Sequence, residues 1–243
     1  MRIPRIYCPE PLQTGATLAL SDSAAKHIQR VLRLQTNNPV TLFDGNDSQA
    51  EAIITQSNKQ GVQVRIESVS HVSLRSPLHI NLLQGISRGE RMDYTIQKSV
   101  ELGVSSIQPV FTERTMVQLT DKRLDKRLLH WQGVIISACE QCGRNDLPQL
   151  LKPVSLPELL ATNIPGIKLL LSLQATNTLS KPSPDQPVTL LIGPEGGLSE
   201  TEQTMAMDAG FDGVRLGQRI LRTETAAITA IATLQALWGD LLS

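Results

Sequence analysis

The sequence predicts an α/β protein in two parts. Residues 1–72 form a small β-rich module, and residues 73–243 form a mostly parallel sheet with helices on both faces. Three observations carry this reading. Short apolar or alternating runs separated by turn signals crowd the first part. Strand-like and helix-like patterns alternate from residue 78 onward, as layered α/β folds require. Between the two lies a polar link with proline, His71-Val-Ser-Leu-Arg-Ser-Pro77.

In the first part the strands are expected at Thr17–Leu20, Val40–Phe43, Ala50–Ile54 and Val62–Ile66, with turns at Asp44-Gly-Asn-Asp47 and Asn58-Lys-Gln-Gly61. That set suggests a curled antiparallel sheet or barrel. One helix interrupts it, capped by Ser21 or Asp22 and running from Ala24 to Leu34. On it Lys26, Arg30 and Arg33 are spaced i, i+4 and i+7 and so share a face. Most such stripes are simply solvated, but Arg2 and Arg5 nearby make this one a candidate phosphate-contacting patch.

In the second part strands are expected at Leu78–Leu83, Ile107–Phe111, Leu169–Leu173, Val188–Ile192 and Val214–Leu216. Helices are expected at Glu90–Leu102, stopped by Gly103, at Asp121–Cys142, after Ser199, and over the last stretch through Leu237. Ser199 and Glu202 have the spacing of a capping box. Lys98 and Glu101, i and i+3 on one helix, read most simply as an ion pair. Arg114, Arg144 and Asn145 fall at element ends, where binding residues concentrate, and a binding contact or a structural hydrogen bond explains them equally well.

The stretch that carries chemistry is Ile192-Gly-Pro-Glu-Gly-Gly-Leu198, which closes an apolar strand and opens a helix. Glycines there let a ligand approach the main chain and offer the N–H groups of Gly196 and Gly197. It is neither a Walker loop nor a dinucleotide fingerprint. Taken alone, a turn that merely reverses the chain explains it equally well. A second stretch, Leu216-Gly-Gln-Arg-Ile-Leu-Arg-Thr-Glu-Thr-Ala226, again puts a glycine at a strand end before a helix. In an α/β sheet both loops fall at the carboxyl edge, where ligands bind.

Composition narrows the classes. No apolar run reaches membrane-spanning length, and Met1-Arg-Ile-Pro-Arg-Ile6 lacks a signal-peptide core, so a cytoplasmic protein is expected. Three cysteines do not make a disulfide framework, and Cys139 and Cys142 lack further ligands, so their expected role is structural. His27, His71, His79 and His130 have no metal spacing, and no metal is expected. Net charge is zero, yet residues 75–152 carry 11 Lys plus Arg against 8 Asp plus Glu (11 − 8 = +3), whereas residues 153–243 carry 5 against 9 (5 − 9 = −4). A neutral chain can still present a local basic surface.

The two glycine-marked stretches resemble the signature of the bacterial small-subunit ribosomal RNA uridine N3-methyltransferases, members of the knotted SPOUT superfamily that act on uridine 1498 of 16S rRNA. The likeness extends to Gln97-Lys-Ser-Val-Glu-Leu-Gly-Val104, Ala138-Cys-Glu-Gln-Cys-Gly-Arg-Asn145 and His27-Ile-Gln-Arg-Val-Leu-Arg33, and so covers nearly the whole chain. It implies a PUA-like RNA-binding barrel over residues 1–72 and a SPOUT domain with a deep trefoil knot over residues 73–243. It also implies S-adenosylmethionine as cofactor, 16S rRNA of the small ribosomal subunit as substrate and a homodimer as working unit. Cofactor contacts are then expected from Leu171, Ser172, Ile192, Gly193, Pro194, Gly196, Gly197, Leu198, Leu216, Gly217 and Leu221, and RNA contacts from Arg2, Arg5, Lys26, Arg30, Arg33, Arg114 and Arg144. Methylating N3 of uridine requires loss of its proton. A cation that stabilises the uridinate fits Arg222, since an arginine stays protonated and cannot be the base. Glu195 and Glu224 are the candidates for base or positioning group, although either could instead accept backbone N–H groups at its turn or helix start. A non-catalytic RNA-binding or ribosome-assembly protein has no use for the glycine turn and Arg222 together. A methyltransferase of another RNA position, such as a ribose 2′-hydroxyl, is the other alternative.

Overall fold

The structure, a computed structural model, describes residues 3–116, 121–179 and 185–242. It divides into two compact units, Met1–Arg75 with Ile136–Leu147, and Ser76–Ile135 with Pro148–Ser243.

The first unit holds β1 (Arg5–Tyr7), β2 (Thr17–Ala19), α1 (Asp22–Lys26), β3 (Pro39–Phe43), β4 (Ser48–Asn58) and β5 (Gly61–His71). The five strands make one sheet in the order β1-β3-β4-β5-β2, with β1 and β3 parallel and the other neighbours antiparallel. Among the described residues β1 and β2 do not pair, so hydrogen bonds do not close the expected barrel. Alternation sets the core: Ala50, Ala52 and Ile54 on β4 and Val62, Val64 and Ile66 on β5 are all buried, together with Ile6, Ile28 and Leu42. Both expected turns form, and at the second the Asn58 side chain accepts the Gln60 N–H at 2.8 Å.

Ser21 caps the helix as expected, accepting from the Ala24 N–H at 3.3 Å, but α1 ends at Lys26 and residues His27–Leu32 wind as a π-helix. Arg33 then takes the left-handed conformation, φ 55°. The shared face assigned to Lys26, Arg30 and Arg33 assumed α-helical winding, and the wider π turn does not keep that register. All three side chains are nevertheless exposed.

Residues 136–147 return to this unit. Tyr7 N–H donates to Glu140 Oε1 at 3.1 Å, Leu147 N–H to Gly45 O at 3.1 Å, and Asn145 Nδ2 to Val72 O at 2.8 Å. A boundary drawn along the chain at residue 72 misses this excursion.

The second unit contains β6 (Ile80–Gly85), α2 (Glu90–Glu101), β7 (Ser106–Phe111), α3 (Asp121–Cys142), β8 (Gln149–Leu150), β9 (Val154–Ser155), α4 (Leu156–Leu160), β10 (Ile167–Leu171), β11 (Val188–Ile192), α5 (Glu200–Asp208), β12 (Asp212–Val214) and α6 (Thr223–Trp238); only the end of α3 belongs to the first unit. Its sheet runs β12-β10-β11-β6-β7-β8, with β9 also on β7, and every pairing is parallel. Every residue of the central β11 is buried, the uninterrupted apolar run expected of a parallel strand covered on both faces. Because all the strands point one way, the loops after β6, β7, β10, β11 and β12 emerge on one edge. Lys98 and Glu101 do pair, at 2.8 Å.

Candidate cofactor and RNA site

The loops after β7, β10, β11 and β12 surround a cleft of about 490 Å³ at that edge. Its apolar wall includes Leu171, Ile192, Leu198, Leu216 and Leu221, each at or just beyond a strand end. The Gly193–Gly197 turn forms part of the lining; Gly193 is needed sterically and Gly197 for its φ of 68°. A Cβ on Gly193 would lie 2.9 Å from the Gly197 carbonyl carbon and from the Leu198 nitrogen, and one on Gly85 would lie 2.5 Å from the Pro194 nitrogen. Only backbone fits between those strands. Gly197 N–H donates to Pro194 O at 2.9 Å, so it closes the turn and is not offered to a ligand, contrary to expectation.

α5 braces the loops. The Ser199–Glu202 capping box is present, and the buried Glu202 carboxylate also accepts the Glu113 N–H at 2.8 Å. Gln203 accepts from Ser172 Oγ at 2.9 Å and donates to Leu198 O at 3.3 Å, joining the loops after β10 and β11. At the start of α6, the fully buried Gln84 donates to Thr223 Oγ1 at 3.0 Å, and that hydroxyl donates to Gly193 O at 2.7 Å. β6, the turn and α6 are thereby tied together behind the cleft.

Charge is concentrated here. Arg91, Arg114, Arg215, Arg219 and Arg222 line the cleft against Glu195 and Glu224, a net of 5 − 2 = +3. Arg114 Nη1 donates to Gly196 O at 2.7 Å and is otherwise exposed. The Glu195 carboxylate accepts the Arg88 N–H at 2.9 Å and Arg91 Nη1 at 3.2 Å. Burial alone would raise its pKa, but the N–H groups of Arg88 and Glu195 itself and the Arg91 guanidinium outweigh burial and hold it below the usual carboxylate range. An acceptor so occupied is a poor general base; Glu195 is a strap between α2 and the glycine turn. Arg222 is the N-cap residue of α6; its carbonyl accepts the Ala226 N–H at 2.8 Å, while its exposed side chain makes no capping bond, hydrogen bond or ion pair among the described residues. It does not pair with the neighbouring Glu224 among the described residues.

Residues 74–235 match the RNA methyltransferase domain family and residues 20–67 the RNA methyltransferase PUA domain. The chain is 40% identical over 242 residues to ribosomal RNA small subunit methyltransferase E of Buchnera aphidicola subsp. Schizaphis graminum, covering 99% of this chain and 98% of that protein. The chain belongs to the ribosomal RNA small subunit methyltransferase E family. Among solved structures, the methyltransferase E of Neisseria gonorrhoeae bound to S-adenosyl methionine is 44% identical with a TM-score of 0.90, covering 98% of this chain and 99% of that one. A methyltransferase from Legionella pneumophila in complex with the cofactor SAM is also 44% identical, with a TM-score of 0.95, covering 99% of this chain and 100% of that one.

In this methyltransferase E chain the basic residues of the first unit divide by burial. Arg144 is 6% exposed and pairs with Asp146 at 2.5 Å, so it is a structural ion and its assignment to RNA is corrected. Arg5 is half-buried, hydrogen-bonded to Asn145 Oδ1 and to Gln49 at 3.1 Å, with its guanidinium 5.1 Å from the Phe43 ring centre. Arg2 lies outside the described residues. Cys139 is buried, and burial pushes its thiol up to about 12, which fits a structural role. Sequence reasoning missed Arg91, Arg215 and Arg219 in the cleft and Gln84, Thr223 and Gln203 behind it. Arg219 and Thr223 sit inside the quoted signature and Arg215 directly before it, whereas Gln84, Arg91 and Gln203 come from separate strands and helices with nothing in the linear order to join them.

Proposed function

We propose that this protein transfers a methyl group from S-adenosylmethionine to N3 of one uridine of 16S ribosomal RNA, the position the resemblance gives as 1498. The observation that carries the proposal is the convergence, in one cleft, of a backbone-built glycine turn with an exposed arginine free to meet a base. Membership of the methyltransferase E family supplies the reaction class.

The residues present fit the cofactor. The cleft is large enough for a ligand of that size, its wall is apolar at Leu171, Ile192, Leu198, Leu216 and Leu221, and the turn at Gly193–Gly197 exposes main chain where a side chain could not fit. These residues and Ser172 would hold it. S-adenosylmethionine supplies an electrophilic methyl group on a sulfonium. Leu173 and Ile220, exposed at 51% and 82%, leave apolar surface in the lining for a base to lie against. Arg222 stabilises the negative charge that develops on the uracil as its N3 proton leaves to water, since its planar donors suit O2 or O4. Arg215 and Arg219 take flanking phosphates, and Arg114 holds the turn while adding positive potential.

Lys26, Arg30 and Arg33, exposed on the first unit, contribute phosphate contacts. A homodimer in the cytoplasm and the knotted threading of the chain belong to the same proposal; the exposed Leu237 at the end of α6, with Leu241 and Leu242 beyond it, supports the dimer, and a crystal structure would trace the threading. The function is tested by nucleoside mass spectrometry of small-subunit rRNA from cells lacking the protein: one N3-methyluridine should disappear and return on complementation, and an unchanged nucleoside profile would refute it.

A further inference from the structure

Glu224 lines the same cleft but makes no hydrogen bond or ion pair among the described residues, and its Oε2 is out of contact with solvent. Five arginines line that cleft, yet none of them pairs with it. It stands in the first turn of α6, where the helix dipole favours a negative charge, but its carboxylate does not cap the helix. A carboxylate oxygen out of contact with water and without a donor is unfavourable unless a cation or donor arrives to compensate it.

We infer that Glu224 recognises the positive charge at the sulfur of the methyl donor, so that the cleft binds S-adenosylmethionine in preference to the uncharged thioether, S-adenosylhomocysteine, left after transfer. This rests on the reading of the cleft as a cofactor site. Of the two partners that reading brings there, RNA is a polyanion and its uracil is neutral or anionic, so the cofactor is the one that carries a cation. An opposing carboxylate would lose its partner once the methyl group has gone, which favours product release. Glu195, the other carboxylate of the cleft, is already held by Arg88 and Arg91 and cannot play this part.

The test is calorimetric titration of the full-length protein with each ligand, in the wild type, Glu224→Gln and Glu224→Asp, with a melting curve for each. Wild type should favour S-adenosylmethionine on the order of tenfold, the effect of one charge-assisted contact. Glu224→Gln should bring that ratio close to one with thioether affinity almost unchanged, and Glu224→Asp should keep part of the preference. An unchanged ratio in Glu224→Gln overturns the inference, as does an equal loss for both ligands, which would place Glu224 on the amino group they share. Intact affinities with a displaced pH-rate profile would make it a base and also overturn it. If Glu224→Gln does not fold, the Asp variant decides: a ratio equal to that of wild type or near zero preference with both affinities lost alike counts against it. Failure of wild type to bind either ligand would instead overturn the cofactor reading itself.

Discussion

In the proposed reaction Arg222 supplies a charge that matters more in the transition state than before it. It starts at an N-cap, where the backbone is fixed, and its side chain is uncommitted. Arg222→Ala should therefore lower single-turnover methylation by on the order of 10² to 10³, as loss of one oxyanion-hole donor does, while cofactor affinity and melting temperature stay near wild type. Arg222→Lys should rescue part of the rate, because an ammonium cannot make the paired contact. A parallel fall in rate, cofactor affinity and melting temperature would make Arg222 a structural residue.

Glu195 leads to a prediction about pH. Its pKa is lower in the folded state than in an unfolded chain, so the strap's stabilisation is fully present above the usual carboxylate range and is lost as pH falls through the depressed value. Cofactor affinity should thus be insensitive to this group from neutral pH down to the ordinary carboxylate range and weaken only in stronger acid. Glu195→Gln should weaken cofactor binding modestly, by about 0.5–1 kcal/mol for a partly exposed pair, and remove that acid limb. Calorimetry across the acid range checks both; loss of affinity already near neutral pH would contradict the assignment.

Much at this scale was legible in the sequence, for particular reasons. Gly193, Gly196 and Gly197 were visible as a turn at a strand end, and only the second glycine-marked stretch made that turn a candidate ligand site. The burial of Arg144 was not, because its partner Asp146 is only two residues away and no pattern distinguishes a buried local pair from two solvated charges.

Long periodic segments were the easiest elements to read: α3 spans Asp121–Cys142 as expected, and β11 spans Val188–Ile192. The two-residue strands β8 and β9 and the five-residue α4 were missed, because such lengths hold little more than one period and so show no repeat of any pattern. The π turn at His27–Leu32 was read as α-helix because the same composition suits both windings. That turn has a functional consequence. It leaves Arg30 and Arg33 exposed without the common face an α-helix would give, so each should meet phosphate separately. Arg30→Ala and Arg33→Ala should each weaken RNA binding and reduce its salt slope by about one, roughly additively, with cofactor affinity unchanged. Filter binding over a salt series reads this; RNA affinity unaltered in the double variant would remove the turn from the RNA surface.

For the whole molecule, the division into a β-rich and an α/β unit was readable from the change of period, whereas the return of residues 136–147 to the first unit was not, since contacts such as Asn145 to Val72 are set by tertiary structure alone. The net charge of zero concealed the cleft, where arginines brought from distant parts of the sequence meet. The apolar residues at the C-terminal end of the chain divide into two groups. Ala226, Ala227, Ala230, Ile231 and Leu234 are buried within the chain, and the exposed Leu237, with Leu241 and Leu242 beyond the helix, remains for a partner. Light scattering at micromolar concentration should give the mass of a dimer, and polar substitution of Leu237 and Leu241 should shift it toward monomer; a wild-type monomer would contradict the proposal.

The central claim is that one cleft joins the methyl donor to a single uridine. It is tested most directly by incubating the purified protein with small subunits from cells that lack it and with isotopically labelled S-adenosylmethionine, then mapping the label by mass spectrometry of nuclease fragments. The account predicts one labelled methyl per subunit, on N3 of one uridine, with Arg222→Ala far slower at that same position. Label on a ribose, on another base or on several uridines, or no label from a protein that binds the cofactor, would contradict it.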